Sequence, residues 1–464
     1  MTTQDIQECV IAASKSLAKG HGAKPDLFEH AHEILAEVRL VRAANGQLFR
    51  YALDRWALFT DHDLDGLILE KTGWSISAIR AELGKLIGAN VHVEGLDARE
   101  PCWLARPESK HASERPPVRE RPPVAEFLAL ANGLLHIPNR SLWRPTSDFF
   151  STSRADYAWS DEPGEPKRWL AFLDSLWADD RDSIALLQEF FGYVISGRND
   201  LQKAALIVGP PRSGKGTIAR VLSLLIGESR VVGLTLAAFG ERFGQAPLVG
   251  GRLAILGDVR VSSRADQTIG TERLLSITGE DMQTIDAKYS RVPWQGRLKT
   301  ILLLLSNEMP RFADASGALA GRLVVLSLTE TFLGREDLGL IDALTGELPA
   351  ILAWSLAGLD RLAERGGFTE TPTGREIVVE IARLGSPVTA FVGERCELGP
   401  DLESPKAALY LAYRTWCEAS GLKPTSMPYF ARDLMAAFPH VKSVRLRGGG
   451  TTAHVYSGLA LRAP

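Results

Sequence analysis

Four apolar runs lie along the middle of the chain, separated by stretches in which apolar residues recur with helical spacing. The runs are KAALIV before Gly209, RLAILGD (252–258), RLKTILLLLSN (297–307) and RLVVLSL (322–328). A run that is apolar at nearly every position is typical of a strand buried on both faces of a sheet. Because strands that alternate with helices favour parallel pairing, we expect an α/β core with a mostly parallel sheet.

Helical spacing also predicts elements on both sides of this core. The predicted helices lie within 1–46, 63–88, 169–177, 183–196 and 347–368. A short hairpin is predicted at 46–59, and NGLLHI (132–137) is a predicted strand.

The C-terminal segment has a pattern of its own, with helices first and strands after. Helices are predicted around 387–396, 405–419 and 428–437, and the strands are VKSVRL and AHVYSGLAL. This order is typical of a winged helix. Lys442, Arg445 and Arg447 lie beside RGGG on the predicted hairpin, where cations can contact a phosphate backbone. A solvent-exposed hairpin with a Gly-rich tip is the alternative.

The first apolar run leads into GPPRSGKGT, after which helical spacing resumes at Ile218. A strand, a glycine-rich loop and a helix in this order predict a phosphate-binding P-loop. Glycines let the backbone approach the phosphates, amides at the helix N-terminus bind the anion, and the lysine adds a positive charge. The predicted nucleotide-binding residues are Gly209, Pro210, Pro211, Arg212, Ser213, Gly214, Lys215, Gly216 and Thr217.

Two residues are candidates for binding Mg²⁺. A hydroxyl residue usually follows the P-loop lysine, but here Gly216 follows Lys215 and Thr217 comes next, so we assign the metal role to Thr217. The run RLAILGD ends in Asp258, as a Walker B strand does. A carboxylate at the end of a parallel strand can hold Mg²⁺ through water. We therefore expect ATP and Mg²⁺ at this site.

Polar residues at the ends of the later runs are further candidates. Asn307 can orient an attacking water or contact the γ-phosphate, and the alternative is a simple strand cap. Arg322 can reach the nucleotide of a neighbouring subunit, and the alternative is a surface arginine. Lys288 and Tyr289 form a basic, aromatic tip after a Gly-Glu-Asp turn.

Composition excludes several classes of protein. The 464 residues are 45% hydrophobic and 23% charged, which is ordinary for a globular protein with several domains. The net charge of −3 means that nucleic-acid contacts must come from local basic patches. The four cysteines form no CxxC, and no histidine lies between His136 and His440, so we expect neither a disulfide framework nor a central histidine metal site. We expect no signal peptide and no membrane span, and a cytoplasmic location.

The ordered motifs resemble the helicase portion of phage and plasmid primase-helicases, which belong to superfamily 3 of the AAA+ ATPases. The stretches that carry the resemblance include LQEFFGYVISG, GPPRSGKGT, LAILGD, LLSITGEDMQTIDAKY, LLLLSNEMPRF, GALAGRLVVL and LYLAYRTWCEASG, within roughly 125–464. The resemblance implies an α/β fold: a P-loop AAA+ core with a mainly parallel sheet, a helical N-terminal region and a C-terminal winged-helix domain.

The resemblance also implies roles for single residues. Lys215 then contacts the β- and γ-phosphates, Asp258 is the Walker B acid and Asn307 is the sensor asparagine. Arg322 takes the place of an arginine finger donated to the next subunit. Lys288, Tyr289 and Arg291 lie where the family carries a DNA-gripping hairpin.

The sequence departs from the family pattern at two glycines. Gly216 stands after the P-loop lysine, and Gly257 precedes Asp258 where a second acid is often found. The general base is therefore open between Asp258, Glu280 and Asp281. The first 125 residues are too few for a primase domain, and the acidic stretch DHDLD (61–65) lacks the surroundings of a primase metal site.

Linker-like stretches at 105–123 and around TPTGR complete the predicted organisation. It comprises a mostly helical N-terminal domain (1–104), a linker (105–124), a helical lead-in (125–198), the superfamily 3 ATPase domain (199–368), a linker (369–385) and a winged-helix-like domain (386–464).

We expect an ATP-dependent DNA helicase of a phage, prophage or plasmid replication system. It would form a ring, a hexamer in this family, act on single-stranded and forked DNA, and use a separate primase or polymerase. Two alternatives stay open. One is a nucleotide-dependent DNA-binding or loader protein without unwinding activity. The other is a nucleotide kinase, because GPPRSGKGT is close to the adenylate-kinase loop.

Overall fold

The structure is a computed structural model of the whole chain. It describes residues 34, 38–43, 47–72, 101–104, 121–257, 259, 264–286, 293–310, 312, 314, 317–420, 422–448 and 451–462. The chain divides into two compact units. The first unit comprises Met1–Val124, Asn132–Leu134 and Leu142–Arg154, and the second comprises Ala125–Ala131, Leu135–Ser141 and Ala155–Pro464.

The elements up to residue 155 are short. In chain order they are β1 (Leu40–Arg42), β2 (Leu48–Ala52), β3 (Arg55–Leu58), α1 (Asp61–Thr72), β4 (Cys102–Trp103), β5 (Phe127–Leu130), β6 (Gly133–His136), β7 (Ser141–Trp143) and β8 (Phe149–Phe150). The hairpin predicted at 46–59 is confirmed as β2 and β3, which pair antiparallel. Residues 40–42, predicted as helical, instead form β1, which pairs with β2. Most of the two predicted N-terminal helical ranges, 1–46 and 63–88, lies outside the described residues.

The first unit has its own apolar core. Phe49 and Trp56 from the β2–β3 hairpin pack there with Phe150, and Trp56 Nε1 donates a hydrogen bond to the Phe149 carbonyl at 2.9 Å. Phe49 and Tyr51 are alternate residues of β2, so both lie on the face of the hairpin that packs on this core.

The second unit is built on a five-stranded parallel sheet. Its elements are α2 (Lys167–Leu176), α3 (Arg181–Ser196), β9 (Ala204–Val208), α4 (Lys215–Ile226), β10 (Val231–Leu234), β11 (Leu253–Gly257), α5 (Arg264–Thr278), β12 (Gln283–Ile285), β13 (Trp294–Gly296), β14 (Ile301–Ser306), β15 (Leu323–Ser327), α6 (Leu340–Gly346), α7 (Leu348–Arg365) and α8 (Pro372–Gly385). The four apolar runs are confirmed as β9, β11, β14 and β15. The chain is thus a mixed α/β protein.

The strand order is β10-β11-β14-β9-β15, so β9 lies inside the sheet. The chain leaves β9 for the far edge at β10 and returns at the end to the opposite edge at β15. This makes β9 the place where the winding of the sheet changes direction. In open α/β sheets, ligands bind outside the carboxyl ends of the strands at such a position.

Both faces of the sheet are buried, which explains the continuous apolar runs. Alternate residues of β9 face opposite sides: Ile207 packs with α2, α3, α4 and α7, and Leu206 packs with α5 and α8. Residues from β14 and β15 divide in the same way. A strand covered by helices on both sides has no polar face.

The predicted linker at 369–385 is wrong, because α8 occupies residues 372–385. The Thr371 side chain accepts a hydrogen bond from the Gly374 amide, and Pro372 is the first helical residue. A capping threonine followed by proline starts a helix, whereas we interpreted TPTGR as a break. Ile381 is buried with the residues of β15, so α8 belongs to the sheet's helical cover.

The C-terminal elements are α9 (Pro387–Arg395), β16 (Cys396–Pro405), α10 (Lys406–Ala419), α11 (Met427–Ala437), β17 (Lys442–Gly448) and β18 (Thr451–Leu461). The three predicted helices and two predicted strands are confirmed. The sheet order is β16-β18-β17, with β16 as a strand that the sequence pattern did not predict. Phe391, Tyr413 and Phe430, one from each helix, form the centre of a separate core.

Among the described residues, no single helix is long and apolar enough to cross a bilayer. The pair α6 and α7 meets that test on length and composition together, but it is bent by 73°.

Candidate functional site

Some of the predicted site residues follow the carboxyl ends of neighbouring strands. Val208 pairs with Ser306, and Leu305 pairs with Gly257, so β9, β14 and β11 end at the same level. Gly209 and Asn307 directly follow two of these ends, and Asn307 is exposed. Asp258 follows Gly257 in sequence, but it lies outside the described residues.

The glycine-rich loop after β9 needs glycine at two positions. A Cβ at Gly209 would lie 2.7 Å from both the Cβ and the carbonyl oxygen of Leu328, so only glycine fits this close approach of two strand ends. Gly214 has φ of +91° and caps the N-terminus of α4. The left-handed region favours glycine because it has no side chain to clash with the backbone. The two glycines of the motif therefore have separate physical reasons.

Lys215 is buried within this loop. Its ammonium donates to the carbonyl oxygens of Gly209 at 2.7 Å and Pro210 at 2.8 Å, and to Ser213 Oγ at 3.1 Å. Burial lowers the pKa of Lys215 below the usual value for lysine. Lys215 is also the first residue of α4, whose cap provides no side-chain acceptor and whose first turn holds no acid. A cation at a helix N-terminus opposes the helix dipole, so a bound anion would stabilise this arrangement.

Thr217, in the first turn of α4, is a candidate oxygen ligand for a metal. Thr217 is half-buried, whereas Gly216 is exposed, and a Cβ at Gly216 would meet nothing within 4 Å. The hydroxyl of Thr217 is the kind of hard oxygen ligand that Mg²⁺ prefers. The departure at Gly216 is therefore not a steric requirement of the fold.

Arg322 lies at the amino ends of the strands, the end of the sheet opposite the glycine-rich loop. It precedes β15, whose first residue pairs with Ala204 at the start of β9. Its guanidinium donates to the Leu275 carbonyl and to Thr278 Oγ1, at the C-terminal end of α5. The structure thus does not bring Arg322 to the loop of its own chain.

Glu280 and Asp281, two candidates for the general base, also lie at that opposite end. They follow α5, where the Asp281 amide donates to the Ser276 carbonyl and Gly279 lies against the Arg322 guanidinium. The C-terminal end of α5 lies beside the start of β15, because Arg322 donates to Leu275 and Thr278 there. Of the three candidates for the general base, only Asp258 follows the carboxyl end of a strand in the sheet, which is the end where Lys215 lies.

The predicted DNA-gripping segment begins and ends in a described hairpin stem. Strands β12 and β13 pair antiparallel, with Gln283 opposite Gly296 and Ile285 opposite Trp294. Lys288, Tyr289 and Arg291 belong to the connection between them and lie outside the described residues.

The C-terminal sheet carries opposite charges on its two edge strands. β17 holds Lys442, Arg445 and Arg447 and no acid, and the first two side chains are exposed. β16 at the other edge holds the exposed acids Glu397, Asp401 and Glu403 and no base. The domain from 386 to 464 as a whole holds nine Lys and Arg against six Asp and Glu, although the whole chain has a net charge of −3. A polyanion would meet the β17 edge favourably.

Comparisons with known proteins match two separate parts of the chain. Residues 207–322 match a family of unknown function (DUF5906), and residues 386–463 match the RFX DNA-binding domain. The C-terminal segment is therefore similar to a known DNA-binding domain.

Solved structures match the chain over most of its length at low identity. The apo A form of the NrS-1 C-terminal region covers 94% of this chain and 100% of its own, with 13% identity and a TM-score of 0.51. A second apo structure of that region, residues 305–718, covers the same shares with 12% identity and a TM-score of 0.49. At this identity, the first likeness describes the fold.

The segment that packs along the glycine-rich loop was not predicted from the sequence. After β15, the Leu328 amide donates to the Val208 carbonyl and the Phe332 amide donates to the Arg212 carbonyl. These residues are about 120 positions apart in the chain. No local pattern in LTETFLG (328–334) signals a backbone pairing at that separation.

Proposed function

We propose that this chain is an ATP-dependent DNA helicase that works in the replication system of a phage, prophage or plasmid. The main support is a buried lysine without an acidic partner at the N-terminus of α4, at the position where the sheet winding reverses. That place favours a phosphate. The match of residues 386–463 to the RFX DNA-binding domain supports DNA as the partner.

In this proposal the loop binds the phosphates of ATP within a P-loop AAA+ core. Lys215 and the amides of the first turn of α4 hold the β- and γ-phosphates, and Thr217 with Asp258 would hold Mg²⁺. The metal, when bound, neutralises charge on the phosphates. Asn307 follows the neighbouring strand and would orient the attacking water. Asp258 is the candidate general base.

The proposed ring provides a role for Arg322, which lies far from the loop of its own chain. In a ring of subunits, a hexamer as in the family that the sequence resembles, Arg322 would reach the ATP of the next subunit. There its positive charge would stabilise the negative charge that develops on the γ-phosphate. Arg322 already caps α5 in its own chain, so subunit contact would have to compete for its hydrogen bonds.

Two regions would contact DNA. Lys288, Tyr289 and Arg291 connect the β12–β13 stem and would track single-stranded DNA through the channel, since a cationic, aromatic tip binds strands without reading bases. Lys442, Arg445 and Arg447 on β17 would contact duplex or forked DNA through its phosphates. A separate primase or polymerase would complete the replication machinery.

The first test is ATP hydrolysis with and without single-stranded DNA, followed by unwinding of a forked duplex. We expect DNA to stimulate hydrolysis. Lys215→Ala should reduce the hydrolysis rate by roughly 100-fold or more, because the positive charge that stabilises the phosphates is lost. Lys203→Ala is the matched control. Lys203 directly precedes β9, has a pKa lowered by burial and donates to the Gly321 carbonyl, but it lies at the other end of the same strand.

The outcomes separate the helicase from its rivals. Full DNA-dependent unwinding by Lys215→Ala would refute the proposal. ATP turnover that does not change with DNA but requires a nucleotide acceptor would identify a kinase.

A loader that binds DNA in a nucleotide-dependent way is the second candidate function. Gly257 supports it, because glycine stands where a second acid would assist hydrolysis, and its Cβ position is open. Tight ATP-dependent DNA binding with negligible turnover and no strand separation would favour this alternative.

A further inference from the structure

The segment after β15 forms a strap along the glycine-rich loop. We define the strap as residues 328–337. It runs parallel to the loop, with hydrogen bonds from the Leu328 amide to the Val208 carbonyl at 2.8 Å and from the Phe332 amide to the Arg212 carbonyl at 2.9 Å. Between them, Thr331 Oγ1 donates to the Pro211 carbonyl at 2.9 Å. The strap therefore holds the loop by its carbonyl groups.

The composition of the loop makes these carbonyls important. Pro210 and Pro211 have no amide hydrogen, so the amide donors that the loop can offer an anion begin at Arg212. In a trans peptide unit the carbonyl and the next amide point in opposite directions. Because the strap binds the carbonyls of Pro211 and Arg212, the amides of Arg212 and Ser213 must point to the side of the loop away from the strap.

The loop needs this support because its conformation is unfavourable. Arg212 has φ of +61°, in the left-handed region that residues with a side chain rarely adopt. Its carbonyl is bound by Phe332, and its guanidinium lies 3.7 Å from the Glu336 carboxylate, so both partners of Arg212 come from the strap. Contacts outside the loop thus keep its first two anion-facing amides in place.

We propose that Thr331 is a positioning residue for nucleotide binding. Its hydroxyl fixes the Pro211 peptide, and through it the Arg212 amide, in the orientation that a phosphate requires. The hydroxyl oxygen is also held, because it accepts from the Leu333 amide at 3.4 Å. Thr331 is exposed, so its removal leaves no cavity. This inference rests on the proposed ATP site.

The test compares Thr331→Val, which keeps the shape but loses the hydroxyl, with Thr331→Ser, which keeps the hydroxyl. The measurements are the Kd of a fluorescent ATP analogue and the KM and kcat of ATP hydrolysis. We expect Thr331→Val to raise Kd and KM roughly three- to tenfold, the usual effect of one lost hydrogen bond, with little change in kcat. Thr331→Ser should behave like the parent protein.

Thr345→Val is the matched control. Thr345 is a further exposed threonine whose hydroxyl donates to a carbonyl, that of Ile341 at 2.8 Å, but its partner is within α6. Its loss should leave Kd and KM unchanged. Parent-like binding by Thr331→Val, or an equal loss in Thr331→Ser, would overturn the inference, provided that Lys215→Ala abolishes binding. If Lys215→Ala also binds as the parent does, the proposed ATP site fails, and the positioning role fails with it.

Discussion

The two ends of the parallel sheet both collect cations, but the cations meet opposite ends of helices. At the amino end, four of the five strands are directly preceded by a basic residue: Lys203, Arg230, Arg252 and Arg322. Arg252 is 6% exposed, and its guanidinium donates to the carbonyls of Val194 at 2.6 Å and Ile195 at 3.1 Å, in the last turn of α3. Arg322 binds the last turn of α5 in the same way.

At the carboxyl end, Lys215 is the first residue of a helix. Helices in an α/β fold run opposite to the strands, so their N-termini and positive dipole ends lie at this edge. Lys215 binds carbonyls of the loop itself and gains nothing from the helix dipole.

This difference predicts different roles for Arg252 and Lys215. A cation at a helix C-terminus is stabilised by the fold, whereas a cation at a helix N-terminus is stabilised by a bound anion. Arg252 should therefore matter for stability, and Lys215 should matter for ligand binding.

Arg252→Met should give the largest change in stability. It leaves two buried carbonyls without a donor and removes a favourable charge from the end of α3, so we expect a loss of about 2–4 kcal/mol in the free energy of unfolding. The measurement is the midpoint of urea unfolding. Arg220→Met, at an exposed arginine of α4, should change stability by less than about 0.5 kcal/mol. An equal effect of both variants would contradict the structural role of Arg252.

Thr217→Ala should lower Mg²⁺-dependent ATP hydrolysis by roughly tenfold, as expected for loss of a metal-binding hydroxyl. The open space at Gly216 allows a sharper test. Gly216→Ser in the Thr217→Ala background places a hydroxyl at the usual position of the motif and should restore activity. Hydrolysis rates over a series of Mg²⁺ concentrations would check both changes. Unaltered activity in Thr217→Ala would remove the metal role from this residue.

The basic strand β17 tests a third kind of cation, which lies in the separate C-terminal sheet and is exposed at Lys442 and Arg445. Lys442→Ala and Arg445→Ala should each weaken DNA binding a few-fold, and each should reduce the salt dependence of log K by about one unit of slope. Binding is measured by fluorescence anisotropy at several salt concentrations. Glu397→Ala and Glu403→Ala on β16 are the controls, and they should not weaken binding. A loss confined to one DNA sequence would indicate base recognition instead.

The pH dependence of nucleotide binding should show the smallest effect. Burial lowers the pKa of Lys215 in the folded protein, so its charged form is disfavoured there, and stability should rise as pH increases through the lowered pKa. A bound phosphate favours the charged form. Affinity for ATP should therefore fall a few-fold as pH rises through the lowered pKa of Lys215. Titration calorimetry at several pH values measures this change in affinity, and Lys203→Ala should leave it unaltered.

Much of the fold could be predicted from the sequence, and the failures have physical causes. Strands buried on both faces, such as β14, read as unbroken apolar runs. The edge strand β10 has only four residues, includes Gly233 and is only partly buried, so its pattern carries little signal. β16 contains Gly399 and Pro400 and a register shift between Leu398 and Glu403, which hide its alternation. The start of α8 was mistaken for a break because Pro and Gly occur in caps as well as in turns.

The candidate site shows the same division. The motif GPPRSGKGT identified the loop and its lysine, because tight backbone turns and anion binding demand particular residues at a fixed local spacing. The partners of the loop did not follow from the motif, since Thr331 and Phe332 reach it only after the chain has crossed the whole sheet.

The sequence by itself determined the buried strands β9, β11, β14 and β15, the glycine-rich loop and the clustering of basic residues on β17, because each depends on spacing within a few residues. The tertiary structure decided which end of the sheet each cation occupies. Lys203 and Lys215 are twelve positions apart and flank the same strand. Lys203 lies at the amino end of β9, whereas Lys215 lies at the N-terminus of α4. The sequence gives the charge of each side chain. Which helix ends and carbonyl groups that side chain contacts depends on how distant segments of the chain pack.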